Sequence, residues 1–424
     1  MIQGSQSTLP VLIVGAGLSG LACAVRLHQA GVPVHLIEAS DGVGGRVRTD
    51  RMDGFLLDRG FQVYLSAYPE AGKLLDTDEL DLKPFEPGAI VYDGINLNRV
   101  MDVFRRPKYL FSSALSSIGS LTDKIRVALL RFQTLGSSEK EIHAQHDQST
   151  ESFLKDFGFS ERMIDGFFRC FYGGIFLENE LRTSSCMFKF TFKMFSQGSA
   201  TLPAHGMGSI PLQLARKLPP ETIRVNSPAT SVTSSSVSLA NGSVLQGSHV
   251  IVATQASQTS RLVPGFSHRA PNWRSVTNVY FSAKKSPLSE AIIALNGSGS
   301  GLVNNVCVPS DISPHYAPTD QSLISVSLLG IHTDEEIPAK IKKELADWFG
   351  NETHDWVHLR TDLIKHALPE QPPESNADEA KDFLEIDGIM ICGDHTTSAS
   401  IEGAIISGNQ TAAALLKSID LEKA

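Results

Sequence analysis

Four apolar residues in a row, Val11 to Val14, open the ordered pattern of this chain. An unbroken run of that kind predicts a strand buried on both faces. Gly15, Gly17 and Gly20 follow, and Ala24 and Leu27 then fall on one helical face. Gly31 closes that helix. Val34 to Ile37 reads as a second buried strand with Glu38 at its tip, and Phe55 to Asp58 as another, turning at Gly60. The stretch 205–219 reads as a glycine turn feeding a short helix. Over 222–254 apolar and polar residues alternate around an Asn241-Gly242 hairpin signal, and His249 to Ala253 forms a further buried strand. Near the C-terminus a short apolar strand enters Gly393-Asp394, then a polar turn, then a helix rich in Gly, Ala and Ser. Surface tails are not built this way.

The three early glycines form G-x-G-x-x-G between a strand and a helix. Gly15 permits the tight turn, Gly17 lets backbone approach a pyrophosphate, and Gly20 lets the helix lie close to the strand. The helix N-terminus offers its free N–H groups to phosphate oxygens. Glu38 stands eighteen residues after Gly20, near the spacing of a ribose-binding acid. The motif alone is weak. Set in strand, helix, strand and acid, it predicts a dinucleotide site.

Gly44-Gly45-Arg46 decides which dinucleotide. With this turn after Glu38, the chain resembles the flavin-containing amine oxidase superfamily, which includes monoamine oxidases, protoporphyrinogen oxidases and plant-type carotene desaturases. The resemblance implies FAD, with Arg46 neutralising a pyrophosphate cradled by glycine backbone. It carries Val225 over as an adenine-side backbone contact. Gly393, Asp394, Glu402, Gly403 and Ala404 then close the site around the ribityl chain and the pyrimidine ring. A helix start at that point suits reduced flavin, which carries negative charge near N1 and C2=O. No cysteine stands where covalent attachment is expected, so the FAD is expected to be non-covalent.

The implied fold class is α/β. A Rossmann-type FAD-binding domain, with a parallel sheet and a β-meander, joins a mixed sheet-and-helix substrate domain, as in p-hydroxybenzoate hydroxylase and amine oxidase-like flavoproteins. The length of 424 residues suits two domains. The FAD-binding domain is expected over 1–90, 200–262 and 385–424, and the substrate domain over 91–199 and 263–384. Residues 368–380 read as a proline-rich loop.

Charge and cysteine usage narrow the partners. Net charge is 37 − 46 = −9, which argues against nucleic acid. The five cysteines form no CxxC pair, and none of the thirteen histidines shows a metal-like spacing, so no metal is expected. No segment approaches the roughly 18 unbroken apolar residues of a membrane span. No signal peptide is visible, and a soluble, cytoplasmic protein is expected. The stretch 101–111, with Arg105, Arg106 and Lys108 among Phe104, Tyr109 and Phe111, fits either a peripheral membrane contact or a lid helix with solvated ends.

Twelve of the 31 aromatic residues lie between Phe153 and Phe195. Phe167, Phe168, Phe171, Tyr172 and Phe176 either line an apolar substrate cavity or form the core of a helical lid. Tyr172, the phenol among them, is a candidate for the reaction site. Monoamine oxidases hold the amine between two tyrosines, one of them just before a Met-Glu-Gly-Ala helix start. Here Ser400 occupies that position, nearer to the Ser-Met-Glu-Gly-Ala of plant-type desaturases. Lys284, two positions late on the strand "NVYFSAKKSP", is the candidate for the lysine that bonds flavin N5 through water. Flavin oxidases require mostly orientation and desolvation from the protein. The expected substrate is a hydrophobic or aromatic small molecule, with oxygen or another acceptor taking the electrons. Amine oxidation is the first reading. Dehydrogenation or isomerisation of a polyene is the second, and a flavin-binding redox sensor without turnover is the third.

Overall fold

The computed structural model describes residues 9–106, 119–373 and 383–423. Its centre is a six-stranded sheet in the order Ile223–Arg224, Val34–Ile37, Val11–Val14, Val250–Val252, Ile389–Ile391, Leu384–Ile386. All neighbours run parallel except the last pair. Parallel strands buried on both faces need continuous apolar sequence, which is why these short segments are almost entirely Val, Ile and Leu.

The two faces of the first strand bury into different cores. Val11 and Ile13 join Leu21, Ala24 and Leu27 of the helix Leu18–Gln29, together with Ile405 and Ala412 of the C-terminal helix Ile401–Lys423. Leu12 and Val14 face Val237 and Leu239 of a three-stranded antiparallel meander, Ala229–Val232, Ser236–Leu239 and Val244–Gln246. The meander turns at Asn241-Gly242 as its sequence predicts, with Gly242 at φ 84° and Asn241 Oδ1 accepting from Ser243 N. The first and last helices touch backbone to backbone. A Cβ on Gly408 would lie 2.2 Å from Ser19 O.

A second sheet of seven strands has the order Val357–Pro369, Trp273–Ala283, Ser322–Leu329, Asn305–Cys307, Ile293–Asn296, Gly88–Tyr92, Leu97–Met101. On one face Val279, Phe281, Ile324 and Val326 pack against the helix Ile337–Phe349. On the other, Tyr280, Cys307 and Leu323 join the core beneath the nucleotide-binding turn. Two expected boundaries move. The strand Gly88–Tyr92 belongs to this second sheet, although it begins inside the segment 1–90, because its hairpin with Leu97–Met101 pairs it alongside Ile293–Asn296. The proline-rich loop starts later than residue 368, since Leu368 and Pro369 pair with Arg274 and Trp273.

Helices, including Leu121–Gly136, Cys170–Phe176 and Ser185–Gln197, pack against Ala89, Val91 and Leu295 on one face of this sheet. Their core is the aromatic stretch, and it resolves the two readings of those rings in favour of core for three of them. Phe168, Tyr172 and Phe176 are buried among Phe159 and Phe188, with Tyr172 and Phe188 centroids 4.6 Å apart. Phe167 and Phe171 pack half-buried against the same cluster. The basic start of the 101–111 stretch is tied inward: Arg105 donates to Gly198 O and Ser199 Oγ, and Arg106 pairs with Glu86. Lys108, Tyr109 and Phe111 lie outside the described residues. No helix among the described residues is long and apolar enough to cross a membrane.

Candidate cofactor and substrate site

Both glycine motifs meet at the C-terminal ends of the parallel strands. Gly17 and Gly44 form an isolated parallel bridge, and Gly44 N donates to Ala16 O at 2.8 Å. The glycines differ in what they allow. A Cβ on Gly20 would lie 2.0 Å from Gly15 O, so this residue sets the close approach of helix to strand. A Cβ on Gly17 would meet nothing within 4 Å, so the backbone there borders open space. Gly45 takes the left-handed φ of 59° that turns the chain toward Arg46. An open backbone at a helix N-terminus beside a cation fits a pyrophosphate.

Glu38 ties the acid to this turn. Its carboxylate accepts from Ala16 N at 2.8 Å and from Ser40 N and Oγ at 2.9 and 2.7 Å. Val225 lies beside it: Glu38 N donates to Arg224 O, and Ser227 donates through N to Glu38 O and through Oγ to Val225 O. The expected ribose acid and adenine-side backbone are therefore neighbours.

Arg46 crosses to the other end of the chain. It donates to Asp394 Oδ1 at 2.6 Å and to Ala367 O at 3.1 Å, and its guanidinium lies 5.4 Å from the Trp273 ring centre. Burial pushes the Asp394 carboxyl up, but the Arg46 charge, the bond from Arg46 and the nearby His395 ring outweigh it and hold it well below the usual range. Trp273 gave no signal in the sequence, because a lone tryptophan at a strand start has many uses.

At the start of the last helix, Ser400 Oγ accepts from Gly403 N at 2.9 Å, and Ala404 N donates to Ser400 O. Ser400 is thus the helix N-cap, a role that Ser followed by a helix start signals. A Cβ on Gly403 would fall 1.9 Å from Ser398 O. The carboxylate of Glu402 turns away to accept from Glu70 N and Ala71 N, capping the short helix Pro69–Leu74. Burial raises the Glu402 carboxyl, and those two amides offset the rise only in part.

Two tyrosines overlooked in the sequence stand beside Glu402. Tyr64 and Tyr68 meet edge-to-face with centroids 5.7 Å apart, and Tyr64 Oη is buried without a partner. Burial, then the Glu402 charge, pushes Tyr64 up to about 12 and Tyr68 higher still. The spacing Tyr-x-x-x-Tyr before Pro69 was the available signal.

Two candidates fall away. Lys284 is exposed beyond the end of the strand Trp273–Ala283, at the opposite end from the Trp273 that stacks on Arg46. Its Lys-Lys sequence ends the apolar strand because water starts there. Tyr172 is packed in the lid core, where burial alone raises its phenol. An open groove of about 420 Å³ lies in the lid, lined by Leu130, Thr134, Phe153 and Lys189 among others, and not at the nucleotide cradle.

A parallel sheet with a glycine cradle, a strand-end acid and a returning C-terminal helix defines a dinucleotide-dependent oxidoreductase. The chain belongs to the flavin containing amine oxidoreductase family, which it matches over residues 18–416, and is an oxidoreductase with a flavin cofactor. It is 22% identical to a 15-cis-phytoene desaturase of Glycine max over 97% of this chain and 80% of that one. It is 30% identical to protoporphyrinogen oxidase 2 of Arabidopsis thaliana over 39% of this chain and 32% of that one. Among solved structures it superposes on putrescine oxidase bound to putrescine with TM-score 0.72 at 19% identity, covering 97% and 99% of the two chains. Cyclohexylamine oxidase from Brevibacterium oxydans gives TM-score 0.70 at 16% identity, covering 97% and 100%. At such identities the superpositions show the fold alone.

Proposed function

We propose that the protein is an FAD-dependent oxidase that takes hydride from the carbon beside an amine nitrogen. The observation carrying the amine is the Tyr64–Tyr68 pair backed by the buried Glu402 carboxylate. Two touching, edge-to-face rings with an acid behind them make one electron-rich aromatic group, which favours a nitrogen centre over a hydrocarbon. The likeness to putrescine oxidase and cyclohexylamine oxidase supports this reading.

FAD, when bound, supplies the hydride acceptor. Gly17 and the start of the helix Leu18–Gln29 would present N–H groups to its pyrophosphate, Arg46 would neutralise it, and Glu38 would accept from ribose hydroxyls. The N-terminus of the helix Ile401–Lys423 favours the charge that builds on reduced flavin. Attachment is non-covalent: all five cysteines are buried and free, and burial drives their thiols up, to about 12 for Cys392. Thiols held protonated are poor nucleophiles.

A second reading has one specific support. Ser400 leaves the helix start without an aromatic wall, and the desaturase relative aligns over 97% of this chain, which suits a polyene. Anaerobic mixing decides between them. Bleaching of the oxidised flavin band by one of a panel of aromatic and aliphatic amines, with peroxide on readmitting air, is the expected result. A flavin reduced by dithionite but by no amine would refute the amine reading, and bleaching by a polyene would establish the second.

A further inference from the structure

We infer that the sheet face turned toward the cofactor holds a substrate subsite for a neutral polar group, centred on Asn278 and Asn305. This rests on the reading that a small molecule is oxidised there, and it deepens that reading. In register, Asn278 pairs with Ser327, and Ser327 with Asn305. Residues directly opposite on antiparallel strands project from the same face. The three therefore form one row across three strands, which Asp362 continues opposite Asn278 on the strand Val357–Pro369, and Ser325 stands next to it.

The row is polar where core is expected. Asn278 is 0% exposed and Asn305 3%. On the opposite face of the same strands, Val279, Val306, Val326 and Leu328 are ordinary apolar core. Asn278 Oδ1 accepts from Ser325 Oγ and Ser327 Oγ, both at 3.1 Å, while its Nδ2 has no partner. Asn305 Nδ2 donates to Asn304 Oδ1 at 2.9 Å, while its Oδ1 has none. Turning the Asn278 amide over does not help. The serine hydroxyls would accept instead of donate, and the oxygen would then be the unmatched end. Buried amide ends without partners are costly, and chains keep them where a water or a ligand completes them.

The position suits a substrate. Tyr280, two residues from Asn278 and on the same face, donates to Asp58 O at 2.6 Å, just before the turn at Gly60. The row thus lies about 7 Å along the strand from the contact with the nucleotide-binding half. From the other side, Gly174 lies against the asparagines: a Cβ there would fall 2.8 Å from Asn304 Oδ1 and 3.1 Å from Asn305 Nδ2. The Gly173-Gly174 pair of the aromatic stretch gains a role as the surface that closes over this row.

The chemistry narrows the ligand. Asn278 Nδ2 offers a donor and Asn305 Oδ1 an acceptor. A hydroxyl or an amide answers both and a hydrocarbon answers neither, while the carboxylate that faces Asn278, that of Asp362, is already paired with Arg360 at 2.8 Å. The structure therefore points to an amine carrying a second, neutral polar group.

The test uses the flavin-loaded protein, reduced with dithionite so that it cannot accept hydride, and two isosteric ligand pairs, with dissociation constants measured anaerobically by calorimetry. One pair is para-(hydroxymethyl)benzylamine against para-ethylbenzylamine, and the other is benzyl alcohol against ethylbenzene. The hydroxyl member of each pair is expected to bind about tenfold more tightly. That ratio should fall to about one in Asn278→Leu and in Asn305→Leu, with melting temperature unchanged or raised. A row that is merely structural would instead lower the melting temperature and leave the ratio intact. No preference in either pair, or a preference that survives both substitutions, would overturn the subsite. If the alcohol pair discriminates while neither amine binds, the amine reading fails and the subsite stands.

Discussion

Arg46 and Asp394 are 348 residues apart in the chain and 2.6 Å apart in space. The pair fastens the Gly44-Gly45 turn to the end of the last parallel strand, closing the nucleotide site from both ends of the sequence. The guanidinium is 32% exposed and the carboxylate 6%, so the cation faces the cradle and the anion backs it. Arg46→Ala is expected to weaken FAD binding by about 10- to 100-fold and to give largely colourless protein. It also leaves the Asp394 charge buried and uncompensated, which destabilises by itself. The double variant Arg46→Ala/Asp394→Asn removes that complication. Fully yellow protein with unchanged affinity in both would refute the role of Arg46.

Asp58 gives the protein a pH signature. It is buried, accepts from Thr49 Oγ1, Met207 N and Tyr316 Oη, and burial outweighs these bonds to raise its carboxyl to about 6. A raised acid binds its proton more tightly in the folded state than in the unfolded one. Its contribution is therefore full below the ordinary range near 3.8 and is lost as pH rises through about 6. Wild type should gain about 1 kcal/mol over Asp58→Asn between pH 7.5 and pH 5, measured by urea unfolding at both values. A difference independent of pH would remove Asp58 as the titrating group.

Ser400 carries two predictions that pull apart. As N-cap, Ser400→Ala should cost about 1 kcal/mol of stability, while Ser400→Asp should cost little. An aromatic wall there would complete a tyrosine cage, so Ser400→Tyr should raise turnover of an amine while losing the cap. Denaturation and steady-state kinetics on the same three variants separate the effects. Stability untouched by alanine would mean that the cap is not formed.

The framework was legible because its sequence signals are local. Apolar runs, the glycine spacing and Asn241-Gly242 each state their element within a few residues, and the parallel sheet and meander follow from them. The cofactor residues were legible for the same reason: Gly17, Glu38 and Arg46 lie within one βαβ unit and its next turn. The substrate side was not. Lys284 has the right alternation for an inward residue, but the strand ends one residue before it. Tyr172 sits in a ring-rich stretch whose density reflects packing of a lid. Asn278 and Asn305 come together only through the register of three strands, with Ser327 between them, and a single sequence does not state register. Trp273 meets Arg46 by the same kind of long-range pairing.

Gly17 and Gly20 allow the sharpest separation of fold from function. Both belong to one motif, yet they face different neighbours. Gly20→Ala drives a Cβ to 2.0 Å from Gly15 O, backbone that has no room to move, so this variant is expected to be insoluble or grossly destabilised. Gly17→Ala meets nothing within 4 Å, and the chain there is extended at φ −73°, ψ 179°, which alanine adopts without strain. It should fold with a melting temperature near that of wild-type apoprotein. The new methyl would nonetheless stand where a pyrophosphate must approach backbone N–H groups. The expected outcome is a well-folded protein with at least tenfold weaker FAD binding, read by fluorescence titration of the apoprotein. If Gly17→Ala bound FAD as tightly as wild type, the cradle would have to lie elsewhere along the strand ends. If it failed to fold, the open space at Gly17 would be filled by the protein itself.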